Sequence, residues 1–470
     1  MAYIVSQIKN IINDSVADAL GKNYGVKQVD TSDVVSLGKA VSQFNAYEGF
    51  FNALVNRIVK TVYFVRTYEG NTRQVLRDEH EYGAFVQKVY YDLPNAVDNP
   101  TWNIPTTDTP PAYTQASPYD VSATVPVSAL IFGGKGTWSI EIIRPLEQIK
   151  TAFLDTSAMM SFIDGIYVTV ENAFKLEEER LVAQAVNTAM ASALDGGIAR
   201  NLLAEYNAKY SQSLTVATAL ISADFLRYAS KEIRRTIINM RKMSTVFNKA
   251  GYPTFTDESK NVVEMLSEFA SAVDTYLTAD TFHDELVALP GYDEVPFWQS
   301  SGKAFDFADT SKINIDHDDI NGGNGISQDG IIAFVHDIEN VACYFGNRRS
   351  WEMVNPRSEV VIHGEKAEKG YAVDDHANAV VFYLGSAGTV TLAEIEHGSA
   401  TLSSSVAYRG NQVIVTCTPA SGYKVKSVVA GADTALDKID ATHYAYKTSD
   451  SNVTITVTME AIAGEQSKKK

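Results

Sequence analysis

The amino-acid sequence predicts an α+β domain over residues 1–386, followed by a separate all-β, sandwich-like domain over residues 388–463. Two observations predict the first domain: apolar stripes at helical spacing, and short strand-like runs between them. A third observation predicts the second domain, because helix-forming residues become scarce near residue 388 and Val/Thr alternation takes over. With 470 residues, the chain is long enough for two or three domains.

Composition narrows the range of functions. The chain carries 40 Lys and Arg residues against 57 Asp and Glu, a formal net charge of -17. Since phosphate binding needs clustered positive charge, we expect any contact with double-stranded DNA to be weak and local. The two cysteines, Cys343 and Cys417, fall in different predicted domains, which argues against a disulfide framework or a four-ligand zinc site.

Targeting and membrane segments are not predicted. The start, MAYIVSQIKNII, lacks a basic leader followed by a long apolar run and a small-residue cleavage site, so we expect no secretory signal. Apolar residues never form the run of about 18 that a transmembrane helix needs. We therefore expect no membrane partner.

The N-terminal part is predicted to hold an arm and a long hairpin. Residues 1–45 are short amphipathic pieces broken by NDS, GKNYG and DTSD, which is typical of an arm with little core of its own. After the helix-like EGFFNALVNRIVKTVYF, the strand-like VYFVRTY and AFVQKVYYD flank a polar connector and predict an extended β-hairpin loop over residues 60–95. The proline-rich residues 94–126 predict an irregular covering loop, and ALIFGGKGTWSIEIIRPL predicts a strand pair.

The connector of this hairpin contains RDEHE, residues 77–81, which raises the question of a metal or acid/base site. Alternate side chains of a strand face opposite sides, so three adjacent carboxylates cannot converge on one metal. A tip surrounded by water also lacks the desolvation that raises a carboxylate pKa. We interpret the cluster as a charged loop tip and, with Arg66, Arg73 and Arg77 nearby, as a candidate contact with a neighbouring subunit.

A spine helix is predicted over residues 155–195, starting near Thr156 or Ser157 and ending at Gly196 and Gly197. About 40 residues at roughly 1.5 Å each make a rod of about 60 Å, whereas the mean helix has about 11 to 12 residues. Such a rod is more typical of flat, plate-like subunits than of compact enzymes. Its apolar stripe consists of Phe162, Ile166, Val170, Phe174, Leu181, Ala185 and Ala189.

Two further helices and several strands complete the first domain, including a mixed axial domain over about residues 245–340. SADFLRYASKEIRRTIINMRKM is predicted to bury Leu226, Ile233, Ile237 and Met240, and to expose Arg234, Arg235 and Arg241. TDESKNVVEMLSEFASAVDTYL is predicted as a helix from Thr256 that buries Val262, Leu266, Phe269 and Val273. The predicted strands are TVFNKAG, IIAFVHD, VACYFG and AVVFYLG, and the sheet is predicted to be mostly antiparallel.

Two loop motifs resemble ligand-binding sequences without meeting their requirements. GGKGT, residues 133–137, lacks the spacer and the ending of a phosphate-binding loop. DHDDINGGNG, residues 316–325, resembles a calcium loop, but its fifth position is Ile320 and its twelfth is Ser327, where a bidentate Glu is needed. We interpret the second motif as a solvated turn.

The remaining motifs do not assign an active site. His-Asp pairs recur at His283, His317 and His336. Such pairs could supply the ligands of a two-metal hydrolase, but they occur more often in turns or as helix caps. No Gly-x-Ser-x-Gly elbow occurs, and neither cysteine has an evident base beside it. We therefore assign no catalytic, cofactor-binding or metal-ligating residue and expect the protein not to be an enzyme. The basic IRRTIINMRK is interpreted as a solvated helix face and, secondarily, as a DNA contact.

The order of these parts resembles the major capsid protein of tailed bacteriophages, with the Hong Kong ninety-seven type of fold. The local sequence looks closest to capsid proteins of small short-tailed phages of the phi-twenty-nine kind, over most of residues 1–386. FFNALVNRIVKTVYFVRTYEGN and YGAFVQKVYYD resemble the passage into the extended loop. KTAFLDTSAMMSFIDGIYVTVENAFKLEEERLVAQAV resembles the spine helix, and IAFVHDIENVACYFGNRRSWEMVNPRS resembles the strands that approach the peripheral domain.

The second domain has its own resemblance. GTVTLAEIEHGSATLSSSVAYRGNQVIVTCTPASGYKVKSVVAG, followed by DSNVTITVTM, looks like one copy of a Listeria-type bacterial surface β-repeat, an Ig-like module. The resemblance implies display on the outer surface of a shell. The basic tail GEQSKKK over residues 464–470 is expected to be solvated.

Together these resemblances imply a subunit that self-assembles into pentamers and hexamers and closes an icosahedral or prolate shell around phage DNA. They imply the virion as the location, assembly in the host cytoplasm, and scaffolding and portal proteins as partners. Lys88 and Asn95 are available for a loop cross-link, but no feature marks them as a pair. Two alternatives remain at this point: a bacterial surface adhesin-like protein, favoured by the β-repeat, and a metal-dependent hydrolase that uses the His-Asp pairs.

Overall fold

The structure is a computed structural model. The residues that it describes are 5–20, 50, 53, 76–77, 85–91, 93, 127–133, 136–145, 156–278, 291–299, 311–316, 320, 323, 325–432 and 434–462. Several predictions lie outside these residues: most of the arm and of the 60–95 loop, the whole proline-rich segment 94–126, Asp78 to Glu81, His283, His317 and the tail 464–470.

The chain divides into two units. Unit 1 consists of Met1–Ala84, Gly134–Thr188 and Val341–Val373, and unit 2 consists of Phe85–Gly133, Ala189–Asn340 and Asp374–Lys470. The described helices are α1 (Val5–Leu20), α2 (Thr156–Asp195), α3 (Leu202–Tyr210), α4 (Val216–Ala219), α5 (Ala223–Met240) and α6 (Ser267–Val273). Among them, no helix has both the length and the apolar character that a membrane crossing requires.

The strands of the first domain are more numerous than the sequence predicts. They are β1 (Leu76–Arg77), β2 (Phe85–Tyr91), β3 (Val127–Gly133), β4 (Gly136–Pro145), β5 (Ala199–Asn201), β6 (Asn261–Leu266), β7 (Asp293–Val295), β8 (Ile313–Ile315), β9 (Ile326–Gln328), β10 (Ile331–Asp337), β11 (Val341–Asn355), β12 (Val360–Val373) and β13 (Ala379–Tyr383).

Unit 1 is built on a four-stranded sheet in the order β1-β11-β12-β4. The long strands β11 and β12 pair antiparallel from Val341–Val373 to Asn355–Val360, with a register shift between Gly346 and Arg349. Val170 and Phe174 of α2 pack with Ala367 of β12 and with the half-buried Trp138, Ile140 and Ile142 of β4. Val170 and Phe174 are thus buried against a sheet face, as the apolar side of an amphipathic helix usually is.

The helix α2 agrees with the prediction for residues 155–195 and ends where the glycines predict. Gly197 has φ +69°, and the amides of Gly196 and Ile198 donate to Ser192 and Ala193 carbonyls at 2.9 and 2.8 Å. Helices commonly end at a glycine in the left-handed conformation, because the amides that follow can then donate to the last carbonyls of the helix.

Unit 2 contains a five-stranded sheet in the order β5-β13-β10-β6-β7. Its central strand β10 is buried along its whole length, and helix α5 covers the core with Leu226, Ile233 and Met240, each 0% exposed. These residues are among those predicted to face inward. The pairs of β10 are antiparallel, whereas β5 and β7 join this sheet in parallel. Most of the described strand pairs of the first domain are antiparallel, as predicted.

Three local predictions are wrong. The segment from Thr256 is not one helix: a 3-10 turn precedes strand β6, and α6 begins only at Ser267. Burial was predicted correctly, because Val262, Leu266 and Phe269 are each at most 3% exposed, but spacing alone does not separate a buried strand from a helix. TVFNKAG, residues 245–251, is a loop and not a strand, and the bridge from Ser244 to Thr254 flanks it.

The third error concerns the N-terminal arm. NDS does not break it, because α1 continues through these residues and the Ser15 hydroxyl donates to the Ile11 carbonyl at 2.7 Å. Such a bond to the preceding turn lets serine stay inside a helix. Ile12 and Val16 are buried, so this helix has an apolar contact face of its own.

The second domain is all-β, as predicted. Its strands are β14 (Gly388–Leu392), β15 (Gly398–Leu402), β16 (Val406–Ala407), β17 (Gln412–Pro419), β18 (Tyr423–Ala430), β19 (Thr434–Ala435), β20 (Asp437–Lys438), β21 (His443–Lys447) and β22 (Val453–Ala461). Two sheets, β16-β14-β22-β18-β19 and β15-β17-β21-β20, enclose a core that includes Val413, Val415, Cys417 and Ile455. Cys343 and Cys417 are both buried.

Candidate assembly site

A polar turn between β12 and β13 brings distant parts of unit 2 together. This turn, residues 374–378 with the sequence DDHAN, is here named the hub turn. It is held internally: the Asp374 carboxylate accepts from the His376 amide at 3.0 Å, and the Asn340 side-chain amide donates to the Asp374 carbonyl at 2.9 Å. A short Asx-type turn of this kind presents its carboxylates in fixed directions.

Strand β2 is anchored on the hub turn by two inward side chains. The Lys88 ammonium lies 2.9 Å from the Asp374 carboxylate and 3.3 Å from that of Glu339. The Tyr90 hydroxyl donates to Asp374 at 2.5 Å, and its ring stacks on His376 with centroids 4.1 Å apart. Because Lys88 and Tyr90 are two residues apart, they share one face of the strand.

The Asp374 carboxylate is a strong acceptor in this place. Its side chain is only 6% exposed, so the charge is stabilised by the groups that donate to it. Burial, followed by the hydrogen bond to Asp374, raises the pKa of Tyr90 above its ordinary value. The phenol therefore stays protonated and remains a donor throughout the neutral range.

The second residue of the hub turn, Asp375, fixes the C-terminal end of α2. The Ser192 hydroxyl donates to Asp375 at 2.7 Å, and the Ala250 amide donates to the Asp375 carbonyl at 3.1 Å. Lys249 also pairs with Asp195, the last residue of α2, at 2.7 Å. A cation at a helix C-terminus is favourable because the helix dipole is negative there.

The last residue of the hub turn joins a buried network. The Asn378 amide donates to the Thr256 hydroxyl at 3.0 Å, and that hydroxyl donates to the Asp337 carboxylate at 2.8 Å. Next to Asp337, the His336 Nε2 lies 3.7 Å from Glu264, and both side chains are fully buried. The hydrogen bonds that join Asn378, Thr256 and Asp337 favour one packing arrangement of these buried side chains.

The opposite face of β2 is exposed and apolar. Val89 is 45% exposed, Tyr91 63% and the following Leu93 54%. The main chain is held even so, because the Tyr252 hydroxyl donates to the Tyr91 carbonyl at 2.6 Å. We name these three residues the β2 apolar face. Large apolar side chains on a rigidly held strand are available for contact with another molecule.

The structure pairs β2 with β3, from Phe85–Gly133 to Tyr91–Val127, a pairing that the sequence did not predict. The pairing of AFVQKVYYD with VYFVRTY stays a prediction. VYFVRTY lies outside the described residues. The predicted strand pair in ALIFGGKGTWSIEIIRPL is present as two strands, but β3 pairs with β2 and β4 with β12.

The motifs that were weighed for chemistry occupy structural positions. Gly133 ends β3 and Gly136 begins β4. Ile320, at the position where a calcium loop needs a ligand, is 3% exposed, and Gly323 and Gly325 have the positive φ of a turn. His336 lies within a buried strand. Within the described part of the chain, no three His, Cys, Asp or Glu side chains converge as a metal site.

The basic face of α5 is partly neutralised. Arg234, Arg235 and Arg241 are exposed, as predicted. Arg235 pairs with Glu232 at 3.5 Å, however, and Arg241 forms an ion pair with Glu258. A phosphate backbone would compete with these carboxylates, which weakens any DNA contact made here.

Sequence reasoning did not single out the hub turn. The usable signal was the pair Asp374–Asp375 directly after a strand, together with Lys88 and Tyr90 at strand spacing, but nothing in the sequence states that residues 284 and 286 positions apart meet.

Comparison with known proteins identifies the family. Residues 12–383 match the family of Phi29-like phage major capsid proteins, and residues 388–463 match the divergent InlB B-repeat domain. Both agree with the resemblances found in the sequence, and neither favours the adhesin or the hydrolase alternative for the first domain. A search of curated proteins finds no match.

Three solved structures illustrate the similarity. The capsid of Staphylococcus phage Andhra has 11% identity and a TM-score of 0.43, covering 66% of this chain and 83% of its own. A chain from the head fiber and inner core structure of bacteriophage P68 has 12% identity and a TM-score of 0.44, covering 67% and 84%. A chain of Mycobacterium phage Che8 has 13% identity and a TM-score of 0.33, covering 67% and 92%. The family match spans most of the chain, and this protein therefore belongs to the Phi29-like phage major capsid proteins.

Proposed function

We propose that copies of this major capsid protein form pentamers and hexamers that close into an icosahedral or prolate shell around double-stranded DNA. The observation that carries the proposal is the β2 apolar face, exposed on a strand whose other face is anchored to the hub turn. A heterologous contact repeated by identical subunits generates rings and, with curvature, a closed shell. We infer that this face packs against a second copy of the chain.

Anchoring matters because association costs entropy. A strand that was free in the subunit would lose backbone freedom on binding, whereas β2 is already fixed by Lys88, Tyr90 and Tyr252. Each contact is modest alone, but many simultaneous contacts in a shell add up. The RDEHE tip and the rest of the 60–95 loop are proposed as further contacts of the same kind.

The experiment is assembly of the purified full-length protein, alone and with candidate scaffolding proteins, followed by negative-stain microscopy. Wild-type protein is expected to form rings or closed particles. The double variant Val89→Asp, Tyr91→Asp is expected to lose them, because two charges would be buried in the contact.

The matched control is Ile439→Asp, an equally drastic change at a residue that is 58% exposed in the second domain. It is expected to assemble normally. Particles formed by the double variant at the wild-type yield would contradict the role of the β2 apolar face, and a wild-type protein that stays monomeric at high concentration would contradict the shell.

The remaining parts and partners are proposed from family membership. We propose that residues 1–45 act as an arm, α2 as the spine helix and residues 245–340 as the axial domain. Scaffolding and portal proteins are proposed partners, DNA is contacted weakly, and the shell assembles in the host cytoplasm and forms part of the virion. The second domain is proposed to lie on the outer surface, and the protein is proposed to have no catalytic activity.

A further inference from the structure

The second domain is joined to the first by only a few residues. Tyr383 ends β13, and Gly388 begins β14, so four residues, 384–387, connect the two. Such a short connector alone would leave a domain free to pivot. The contacts around the connector decide whether the second domain moves independently of the first domain or is held against it in one orientation.

Two loops at one end of the second domain face the first domain. The first, residues 408–411, lies between β16 and β17, and the second, residues 448–452, lies between β21 and β22. Thr448 ties them together, because its hydroxyl donates to the Tyr408 carbonyl at 2.6 Å. The loops are therefore held in one arrangement before they meet the first domain.

Asp450, in the second loop, bonds to side chains of the first domain. Its carboxylate accepts from the Tyr383 hydroxyl and, at 3.0 Å, from the Asn201 side-chain amide. Asn201 and Tyr383 are paired across the β5–β13 ladder and both are fully buried. The same carboxylate accepts from the Arg409 amide at 3.2 Å, so one acid links both loops to the sheet.

Both the oxygen and the nitrogen of the Asn201 side-chain amide form hydrogen bonds here. Its oxygen accepts from the Ala204 amide at 3.1 Å, which caps helix α3, and from the Gly385 amide at 3.1 Å, which fixes the connector. Its nitrogen is the donor to Asp450, and its main-chain amide donates to the Arg409 carbonyl at 3.3 Å. Asn201 thus caps helix α3, fixes the connector and bonds the second domain.

Arg409 approaches the first domain at another point. Its guanidinium donates to the Leu194 carbonyl, in the last turn of α2, at 2.8 Å. A cation there complements the negative end of the helix dipole. The neighbouring Gly410 has φ +94°, and an added Cβ would lie 3.4 Å from the Arg200 side chain, so the two domains approach closely.

We propose that Asp450, Arg409, Asn201 and Tyr383 form a joint that holds the second domain in one orientation on the capsid domain, so that the joint and not the connector sets its direction. The strand order then leaves the loops 393–397, 420–422 and 439–442 at the free end of the domain. Any partner of this domain would meet those loops in a fixed geometry. The inference concerns the single chain and does not depend on shell assembly.

The test is limited proteolysis of the full-length protein with elastase, which cuts after small residues such as those of the Leu-Gly-Ser-Ala connector. Wild type, Asp450→Ala, Tyr383→Phe and the double variant are compared, with Asp437→Ala as the matched control in an exposed strand of the same domain. Cleavage within 384–387 is expected to be at least tenfold faster in Asp450→Ala than in wild type, and unchanged in Asp437→Ala.

The double variant distinguishes a shared joint from two separate defects. Since Tyr383 and Asp450 bond to each other, the double variant is expected to be cut no faster than Asp450→Ala alone. Independent, multiplying effects would overturn the proposal, as would a wild-type connector that is cut as fast as that of Asp450→Ala.

Hydrogen exchange of the wild-type protein gives a test that needs no variant. The Asn201 amide bonds across the joint and the Gly385 amide lies in the connector, and both are expected to exchange at least a hundredfold more slowly than unprotected amides. Exchange of these two amides at the unprotected rate would mean that the second domain is not held against the first, and would overturn the proposal.

Discussion

At the scale of single residues, the contacts of Tyr90 illustrate how a polar side chain anchors a strand. A tyrosine facing a carboxylate keeps its ring in an apolar stack and its hydroxyl in a charge-assisted bond. Its neighbour Tyr91 faces the opposite way and is 63% exposed. Two identical residues in sequence thus have different roles, which follow from strand alternation.

We predict that Tyr90→Phe lowers the free energy of unfolding by about 1–2 kcal/mol, because Asp374 loses a donor while remaining charged. Tyr91→Phe is the matched control and is expected to change stability by less than about 0.5 kcal/mol. Urea unfolding of the unassembled protein measures both. Equal effects of the two substitutions would contradict the anchoring role.

His363 predicts a pH dependence. It lies in β12 beside Glu352 of β11, whose carboxylate is 3.8 Å from Nδ1, and near Arg144 of β4. Burial, and secondarily the positive charge of Arg144, lowers the pKa of His363 from 6.5 to about 4. Between these values the unfolded chain binds a proton that the folded chain does not bind, so stability falls as the pH falls through this window.

The expected contribution of His363 is about 3 kcal/mol between pH 6.5 and 4. The carboxylates of the protein act in the same direction, so the prediction concerns a difference: His363→Gln should flatten the pH dependence in this window relative to wild type. Unfolding free energies at pH 7, 6, 5 and 4 would check it. Parallel curves for the two proteins would show that His363 does not titrate as inferred.

At the scale of elements, α2 is fixed to the sheet of unit 1 by an arginine as well as by its apolar stripe. The Arg348 guanidinium lies 3.6 Å from the centre of the Phe174 ring and donates to Glu365 at 2.7 Å. Burial raises the pKa of Glu365, and Arg348 opposes that rise. A planar, delocalised cation satisfies both partners at once.

We predict that Arg348→Lys destabilises unit 1 by about 1–3 kcal/mol, because an ammonium cannot stack on Phe174 and bond Glu365 in the same position. The adjacent Arg349, 62% exposed and 3.5 Å from Glu368, offers Arg349→Lys as a control with an effect near zero. Chemical unfolding compares the two. Equal destabilisation by Arg349→Lys would show that any Arg-to-Lys change has this effect, and that the contact with Phe174 is not its cause.

Strand β6 shows where element prediction from sequence fails. The residues Val262 to Leu266 are all buried, so side chains on both faces of this strand are covered. A strand buried on both faces has no alternation, so its apolar spacing also fits a helix. The long helix α2 was predictable because its stripe continues far beyond the length of any strand and ends at two glycines.

At the scale of the whole molecule, charge governs the relation to DNA. The net charge is -17, and Arg235 and Arg241 on the basic face of α5 form ion pairs with Glu232 and Glu258. Any contact with double-stranded DNA is therefore expected to be weak.

We predict that purified subunits bind double-stranded DNA only at low salt and release it near 150 mM, where the Debye length is about 8 Å. Fluorescence anisotropy over a salt series measures this binding. Arg234→Glu should remove the residual binding at low salt, and Asp437→Lys, a change of equal size in the second domain, should not remove it. Tight binding near physiological salt would contradict the prediction.

The sequence by itself determined the class of each domain, the long helix α2 and the capsid family, because these depend on periodicity, composition and local likeness along the chain. Only the tertiary structure decided that Lys88 and Tyr90 meet Asp374, that β2 pairs with β3, and that Asp450 fixes the second domain to Asn201 and Tyr383. The physical reason is that polar contacts between residues hundreds of positions apart produce no periodic pattern in the sequence. Each such contact depends on which strands and turns become neighbours when the chain folds.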